Sequence, residues 1–275
     1  DNKIIGAVCN EGSFNFDAMV LATGGCTYKG TGSSGDGYAL AKAVGHTVTP
    51  ILPSLVPLVS SEPWISDLQG LSLKNSKIEL YNQKGKNLAS QFGEMLFTHF
   101  GLSGPCILSI SDTAARFWLK KPDEPLVIKI DLKPALTAEQ LDARIQRDFV
   151  KYSRKIFANS LGDLLPKSLI PVIIKLSGIE PETAVNQITK EQRQNLAKLL
   201  KSFPVTVSKT RPLNEGIVTA GGVKTKEVNP KTFESKIIEG LYIVGELLDV
   251  HGFTGGYNLQ AAFSSGYVAG CSASQ

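Results

Sequence analysis

Little in this sequence points to metal, disulfide or membrane chemistry. Its four cysteines, Cys9, Cys26, Cys106 and Cys271, are scattered over 275 residues. They show no C-x-x-C spacing and have no histidine at metal-ligand distance in sequence, a pattern that fits reduced thiols in a cytoplasm and no metal site. No apolar run approaches the ~20 residues of a membrane helix. The opening Asp1-Asn2-Lys3 lacks the apolar stretch of a signal peptide. A soluble, cytoplasmic protein with no membrane partner is the expectation. Charge is also undirected: the formal balance is +4, but lysine and arginine are spread along the chain, and only Lys120-Lys121 and the stretch from Lys151 to Lys155 are locally basic. A solvated helix face accounts for both, so no nucleic-acid partner is expected. There is no internal repeat, and Ser103 after His99 stands in nothing resembling a nucleophile elbow.

What is present is ordinary globular material, 42% hydrophobic and 20% charged, in a chain long enough for two domains. Ile4 to Cys9 and Asp17 to Thr23 read as strands. Ala18-Met19-Val20-Leu21-Ala22 is a continuous apolar run of the kind covered on both faces in α/β sheets. An Ala-rich helix follows over Tyr38 to Val44. From Pro50 prolines punctuate short apolar pieces, and alternation at Lys77 to Tyr81 and Leu126 to Leu132 predicts a β-rich domain. Thr137-x-x-Gln140 and Thr189-x-x-Gln192 are capping boxes opening helices, the second carrying an apolar stripe at Leu196, Leu199, Leu200 and Phe203. Strands return at Val205 to Val207, Ile217 to Thr219 and Leu241 to Val244, and a helix over Leu259 to Cys271 closes the chain. The resulting division is 1–50 with 212–275 as one α/β domain, 51–136 with 203–211 as a β-rich insert, and 137–202 as its helical part.

Residues 30 to 35, Gly-Thr-Gly-Ser-Ser-Gly, match G-x-G-x-x-G as a string. The context is wrong for a dinucleotide fingerprint. The apolar strand ends at Ala22, well before the first glycine, and the place for a second parallel strand is taken by Pro50 to Pro57.

Three other segments share one construction, an apolar strand followed by glycine: Val20 to Gly25, Ile217 to Gly222, and Leu241 to Glu246. Glycine at a strand's C-terminal edge allows unusual φ and lets a flat ligand approach the backbone. One such segment reads as a tight turn; three in one chain point to a planar cofactor across a sheet edge. Thr254-Gly255-Gly256 then precedes a helix with small inner residues, Ala261, Ala262, Ser264, Ser265 and Gly266. A helix start carries unpaired N–H donors and roughly half a positive charge. Glu246 is placed to accept hydrogen bonds from sugar-type hydroxyls.

Ala22-Thr23-Gly24-Gly25, the stretch Gly93-Glu94-Met95-Leu96-Phe97-Thr98-His99-Phe100-Gly101-Leu102-Ser103-Gly104-Pro105, and Thr254-Gly255-Gly256-Tyr257-Asn258-Leu259-Gln260 together resemble the BaiN/RdsA-like family of NAD(P)/FAD-dependent oxidoreductases, whose members are also called aminoacetone oxidase family FAD-binding enzymes. The resemblance spans essentially the whole chain. It implies a two-dinucleotide-binding flavoprotein domain, Rossmann-like, interrupted by an inserted domain that is part β-barrel and part helical and caps the flavin. It also implies an N-terminal strand and G-x-G-x-x-G for the ADP half of FAD. This chain begins after that point, so an incomplete FAD domain, weak flavin retention, little activity on its own and self-association through exposed apolar surface are expected.

On that resemblance Thr23, Gly24, Gly25, Gly221, Gly222, Gly245, Glu246, Thr254, Gly255, Gly256, Tyr257, Asn258, Leu259 and Gln260 line FAD. His251, in the loop before the last helix, His99, before a small-residue turn, and Tyr257 are the candidate catalytic side chains, each with a packing role as its alternative. The substrate is a small organic molecule, and the chemistry either NAD(P)H-linked ene reduction or oxidation of a small amine; a flavin-free binding module is the rival of another class. Arg211 reads as a surface ion pair or an anion contact, and His46 as a structural cation at a helix C-terminus.

Overall fold

The computed structural model describes residues 2–275. By contact the chain divides into two units, Asp1–Val56 with Arg211–Gln275, and Pro57–Thr210. The first unit opens with a hairpin, β1 (Gly6–Cys9) against β2 (Gly12–Asn15), whose second strand the sequence pattern does not announce because its side chains are all exposed. The apolar run follows as β3 (Met19–Leu21), then α1 (Asp36–Ala43) and β4 (Leu52–Ser54). No dinucleotide fingerprint forms at Gly30 to Gly35: fourteen residues separate the end of β3 from the start of α1, and β4 pairs antiparallel with Val218–Ala220 instead of lying parallel beside β3. That pairing also places residues 51–56 in this unit, although their prolines read as the start of the insert.

The second unit runs β5 (Leu58–Ser60), β6 (Ser72–Tyr81), β7 (Asn87–Thr98), β8 (Gly101–Ser103), α2 (Pro105–Lys120), β9 (Leu126–Asp131), α3 (Ala138–Lys151), α4 (Ile170–Ser177), α5 (Lys190–Lys201) and β10 (Phe203–Thr210). Its six strands close into a barrel in the order β10-β5-β8-β7-β6-β9. Period-2 alternation builds it. Leu126, Ile128 and Ile130 of β9, Ile78 and Leu80 of β6, and Phe203, Val205 and Val207 of β10 are fully buried, and the residues between them face outward. Their inner faces join Ile107, Ile110 and Ala114 of α2 in one apolar core.

Both capping boxes form. Thr137 Oγ1 accepts the Gln140 N–H and Gln140 Oε1 accepts the Thr137 N–H; Thr189 and Gln192 do the same for α5. The stripe that predicts a helix through Phe203 stops short: α5 ends at Lys201 and Phe203 opens β10 opposite Ile130. Pro204 explains it, since a residue before proline is pushed out of the helical region into extended backbone.

The chain re-enters the first unit with β11 (Val218–Ala220), β12 (Leu241–Ile243) and α6 (Tyr257–Ala273). β12 pairs in parallel with β3, and β11 is the antiparallel partner of β4. The architecture is thus α/β, a Rossmann-like unit interrupted in sequence by a barrel with helices. The expected two-sided cover of β3 is only partial: Val20 is 40% exposed, on the face where α6 packs through Ala269 against Tyr242 and Val244. Leu259, Phe263 and Tyr267 form an exposed stripe on α6. Among the described residues no helix is long and apolar enough to cross a membrane.

Candidate functional site

β3 and β12 run parallel with Leu21 opposite Ile243, so Ala22-Thr23-Gly24-Gly25 and Val244-Gly245-Glu246 leave the sheet at the same edge. The end of β11 joins them. Glu246 Oε1 accepts the Thr219 N–H at 2.6 Å, and Thr219 Oγ1 accepts the Cys26 N–H at 2.9 Å. A Cβ on Gly25 would lie 2.3 Å from Thr219 Oγ1 and 2.5 Å from Glu246 Oε1. The three glycine-edged segments therefore meet at one knot of side chains. Tyr38 of α1 donates its hydroxyl to the Glu246 carbonyl at 3.2 Å.

The glycines serve two purposes. At Gly221 and Gly222 the missing Cβ makes room for the protein itself: it would sit 2.1 Å from the Pro50 carbonyl oxygen and 2.6 Å from the Leu247 carbonyl oxygen, respectively. At Gly256 the space is open, and at Gly245 only the Ala262 methyl lies nearby, 3.8 Å away; both residues have positive φ, +88° and +69°. Close approach by a ligand is available at the second pair.

Gly245 and Glu246 form one wall of a cavity of about 250 Å³ whose other wall is α6, through Asn258, Ala261, Ser264 and Ser265. Small residues keep this face of the helix close to the sheet edge. Ser265 Oγ accepts the Gly245 N–H at 3.0 Å and donates to the Ala262 carbonyl. Asn258 holds the preceding loop, its Oδ1 accepting the Gly252 N–H at 2.7 Å and its Nδ2 donating to the Gly252 carbonyl at 3.0 Å. No side chain caps the start of α6, which follows Gly255 and Gly256. Thr254, Tyr257, Leu259 and Gln260 are exposed around that start; Gln260 donates to Ser264 Oγ.

Electrostatically the knot is quiet. Burial pushes the Cys26 thiol up, Thr219 opposing it, and burial pushes the Tyr38 phenol up strongly, with Cys26 and Glu246 adding to it. Both stay protonated at neutral pH, so neither is a ready nucleophile.

The remaining candidates separate. His251 is half-buried in the loop before α6. His99 belongs to the barrel unit, exposed on the two-residue turn between β7 and β8, edge-on to Phe100. Arg211 pairs with Glu215 at 2.6 Å. His46 is structural for a reason the helix-end argument misses. Ser235 Oγ accepts the N–H groups of Ile237 and Ile238, so its proton goes to His46 Nε2 at 2.8 Å, leaving Nδ1–H for the Glu227 carboxylate at 3.3 Å. Thr219 and Tyr38 are the site residues that sequence reasoning passed over. The signal for Thr219 was present, a threonine just before Ala220-Gly221-Gly222, much as Thr23 stands just before Gly24-Gly25.

The model of the HI0933-like protein barrel and H2TH domain matches residues 52–218, which take in the whole closed barrel and its helices. The chain belongs to the HI0933-like family. That is the grouping the BaiN/RdsA-like resemblance indicated. Curated relatives of this HI0933-like chain include a 3-dehydro-bile acid delta(4,6)-reductase of Clostridium scindens, 34% identical over 95% of this chain and 63% of the relative. Ribosomal RNA dihydrouridine synthases of Haemophilus influenzae and Escherichia coli are 34% and 32% identical over 94% and 92% of this chain, covering 60% and 59% of those proteins. The chain thus spans about 60% of the length of the curated relatives it matches.

Proposed function

We propose that this HI0933-like chain carries the isoalloxazine-side contacts of an FAD-dependent oxidoreductase that adds hydrogen across a carbon–carbon double bond conjugated to a carbonyl, with NAD(P)H as the electron source. The observation that carries the reading is the convergence of three glycine-edged strand ends on Glu246 and Thr219, beside a cavity closed by the uncapped start of α6. A flat, hydroxyl-bearing cofactor fits what is there. Gly245 and Gly256 leave open space, and Glu246 uses one carboxylate oxygen on Thr219.

When bound, the flavin supplies hydride transfer at its N5. The residues of the chain do the rest. Thr23, Gly24, Gly25, Gly245 and Glu246 hold and orient the cofactor, Glu246 as a hydroxyl acceptor. The N–H groups of Gly256 to Leu259, at the start of α6, would favour negative charge on a group bound there. His251 and Tyr257, at the two ends of the loop that Asn258 clamps, are the side chains of this unit with a proton to exchange with substrate.

The choice of ene reduction over amine oxidation rests on the relatives' names. A delta(4,6)-reductase and a dihydrouridine synthase both add two hydrogens across a carbon–carbon double bond. The proposed substrate is a small organic enone. Anaerobic photometry of the full-length protein with FAD tests this. Quenching of flavin fluorescence on mixing, bleaching by NADPH and recovery on adding an α,β-unsaturated ketone are the expected results. Bleaching by an aliphatic amine alone would move the reading to an oxidase, and FAD that keeps its full fluorescence would sink the cofactor assignment for this chain.

A further inference from the structure

The barrel unit has a cleft of its own, about 490 Å³, lined by Asn75, Phe92 and the turn 132–136. Its size falls in the range of about 300–1,000 Å³ typical of small-molecule sites. Its walls are apolar: Phe92 of β7, 64% exposed, and Leu132, Pro134 and Leu136 of the turn after β9.

The polar groups of that turn are already committed. Lys201 Nζ donates to the carbonyls of Lys133 at 3.2 Å and Leu136 at 2.7 Å and pairs with Asp131, whose Oδ1 accepts the Lys133 N–H at 2.9 Å. The cleft wall is therefore set before any ligand arrives.

The Lys133 side chain is the exception. It is half-buried and forms no ion pair among the described residues. Burial first, and the Arg144 guanidinium second, hold its ammonium below the ordinary lysine range, while Arg144 itself is committed to Asp148 at 2.9 Å. A partly desolvated cation beside another cation is unfavourable until an anion joins it. Apolar walls around one such charge select for a single anionic head on a hydrocarbon body.

We propose that this cleft binds an amphipathic monocarboxylate, its head on Lys133 and its apolar body against Phe92, Leu132 and Leu136. None of these residues belongs to the glycine-edged set, so the proposal stands apart from the flavin reading.

Calorimetric titration of the full chain with decanoate, below its micelle concentration, tests it. Saturable binding is expected. Lys133→Met, which keeps the stem and removes the charge, should weaken it about tenfold or more, and Phe92→Ser should weaken it severalfold, both with unchanged far-UV dichroism. Decanoate should also protect Lys133, but not exposed Lys84, from acetylation by acetic anhydride read by peptide mass spectrometry. No saturable binding, equal affinity in Lys133→Met, equally tight binding of decyltrimethylammonium, or absence of Lys133 protection would each overturn the assignment.

Discussion

The barrel unit and the sheet unit bury their apolar residues in different ways. In the barrel unit one continuous core runs from the closed strands into the helices, with Phe97, Phe157 and Phe203 fully enclosed. In the sheet unit the strands occur in pairs, and the core breaks into two small clusters, one around Leu21, Leu241 and Ile243 and one around Tyr242, Val244 and Ala269. Ile5, Val8, Phe263 and Tyr267 stay largely exposed there. The glycine-edged site lies on the second kind of scaffold. Its geometry depends on polar latches such as Glu246 on Thr219, whereas the barrel unit closes over one large apolar core, and burial is non-directional and tolerant.

The sharpest way to break this contrast is to remove one large side chain from each unit. Phe97→Ala should cost about 3–5 kcal/mol, read as a lower urea midpoint of tryptophan fluorescence. Trp64 and Trp118 both lie in the barrel unit, so that signal reports it alone. Val20→Ala, at a 40% exposed position of β3, should cost the sheet unit no more than about 0.5 kcal/mol, read by hydrogen exchange of the Ile243 amide that donates to the Phe233 carbonyl. Equal losses from the two substitutions would erase the distinction.

A smaller effect is expected from Glu246→Gln, which keeps the shape of the latch and removes its charge. Weakening the bond to the Thr219 N–H should speed hydrogen exchange of that amide about tenfold, roughly 1.4 kcal/mol, without moving the tryptophan midpoint. A shift of both would show that the barrel depends on the latch too.

The smallest effect sharpens the barrel side. Arg193 donates to Asp142 through Nε at 2.8 Å and Nη2 at 3.0 Å, and these bonds hold the Asp142 carboxyl below its usual range. A depressed folded-state value stabilises above the unfolded pKa of about 3.9, and the gain is lost as pH falls through the folded value. Asp142→Asn should therefore lower stability by about 0.5–1 kcal/mol at pH 7, with the gap to the parent narrowing below about pH 4. A gap that stays constant down to pH 3 would show that the carboxylate charge is not what matters.

Much of the fold was legible wherever the signal is local. Thr137-x-x-Gln140 and Thr189-x-x-Gln192 announce helix starts because a side chain and a backbone N–H three residues apart satisfy each other whatever surrounds them. Alternation in Leu126 to Leu132 announces a strand with one buried face, and glycine after an apolar run marks a strand end. Phe203 was misplaced because an inward strand residue and the next turn of an apolar helix stripe look alike without the weight of Pro204. Thr219 was overlooked because its partners, Cys26 and Glu246, lie 193 and 27 residues away.

Taken by itself, the chain's order of residues determined the helix starts, the alternating strands, the three glycine-edged strand ends and the family they resemble, since each depends on neighbours a few positions apart. The closure of six strands into a barrel, the meeting of Gly25 with Thr219 and Glu246, and the placing of Lys133 with no ion pair among the described residues were decided only by the tertiary structure. Those features depend on which distant groups share a few ångströms of space, and no spacing along the chain encodes that distance.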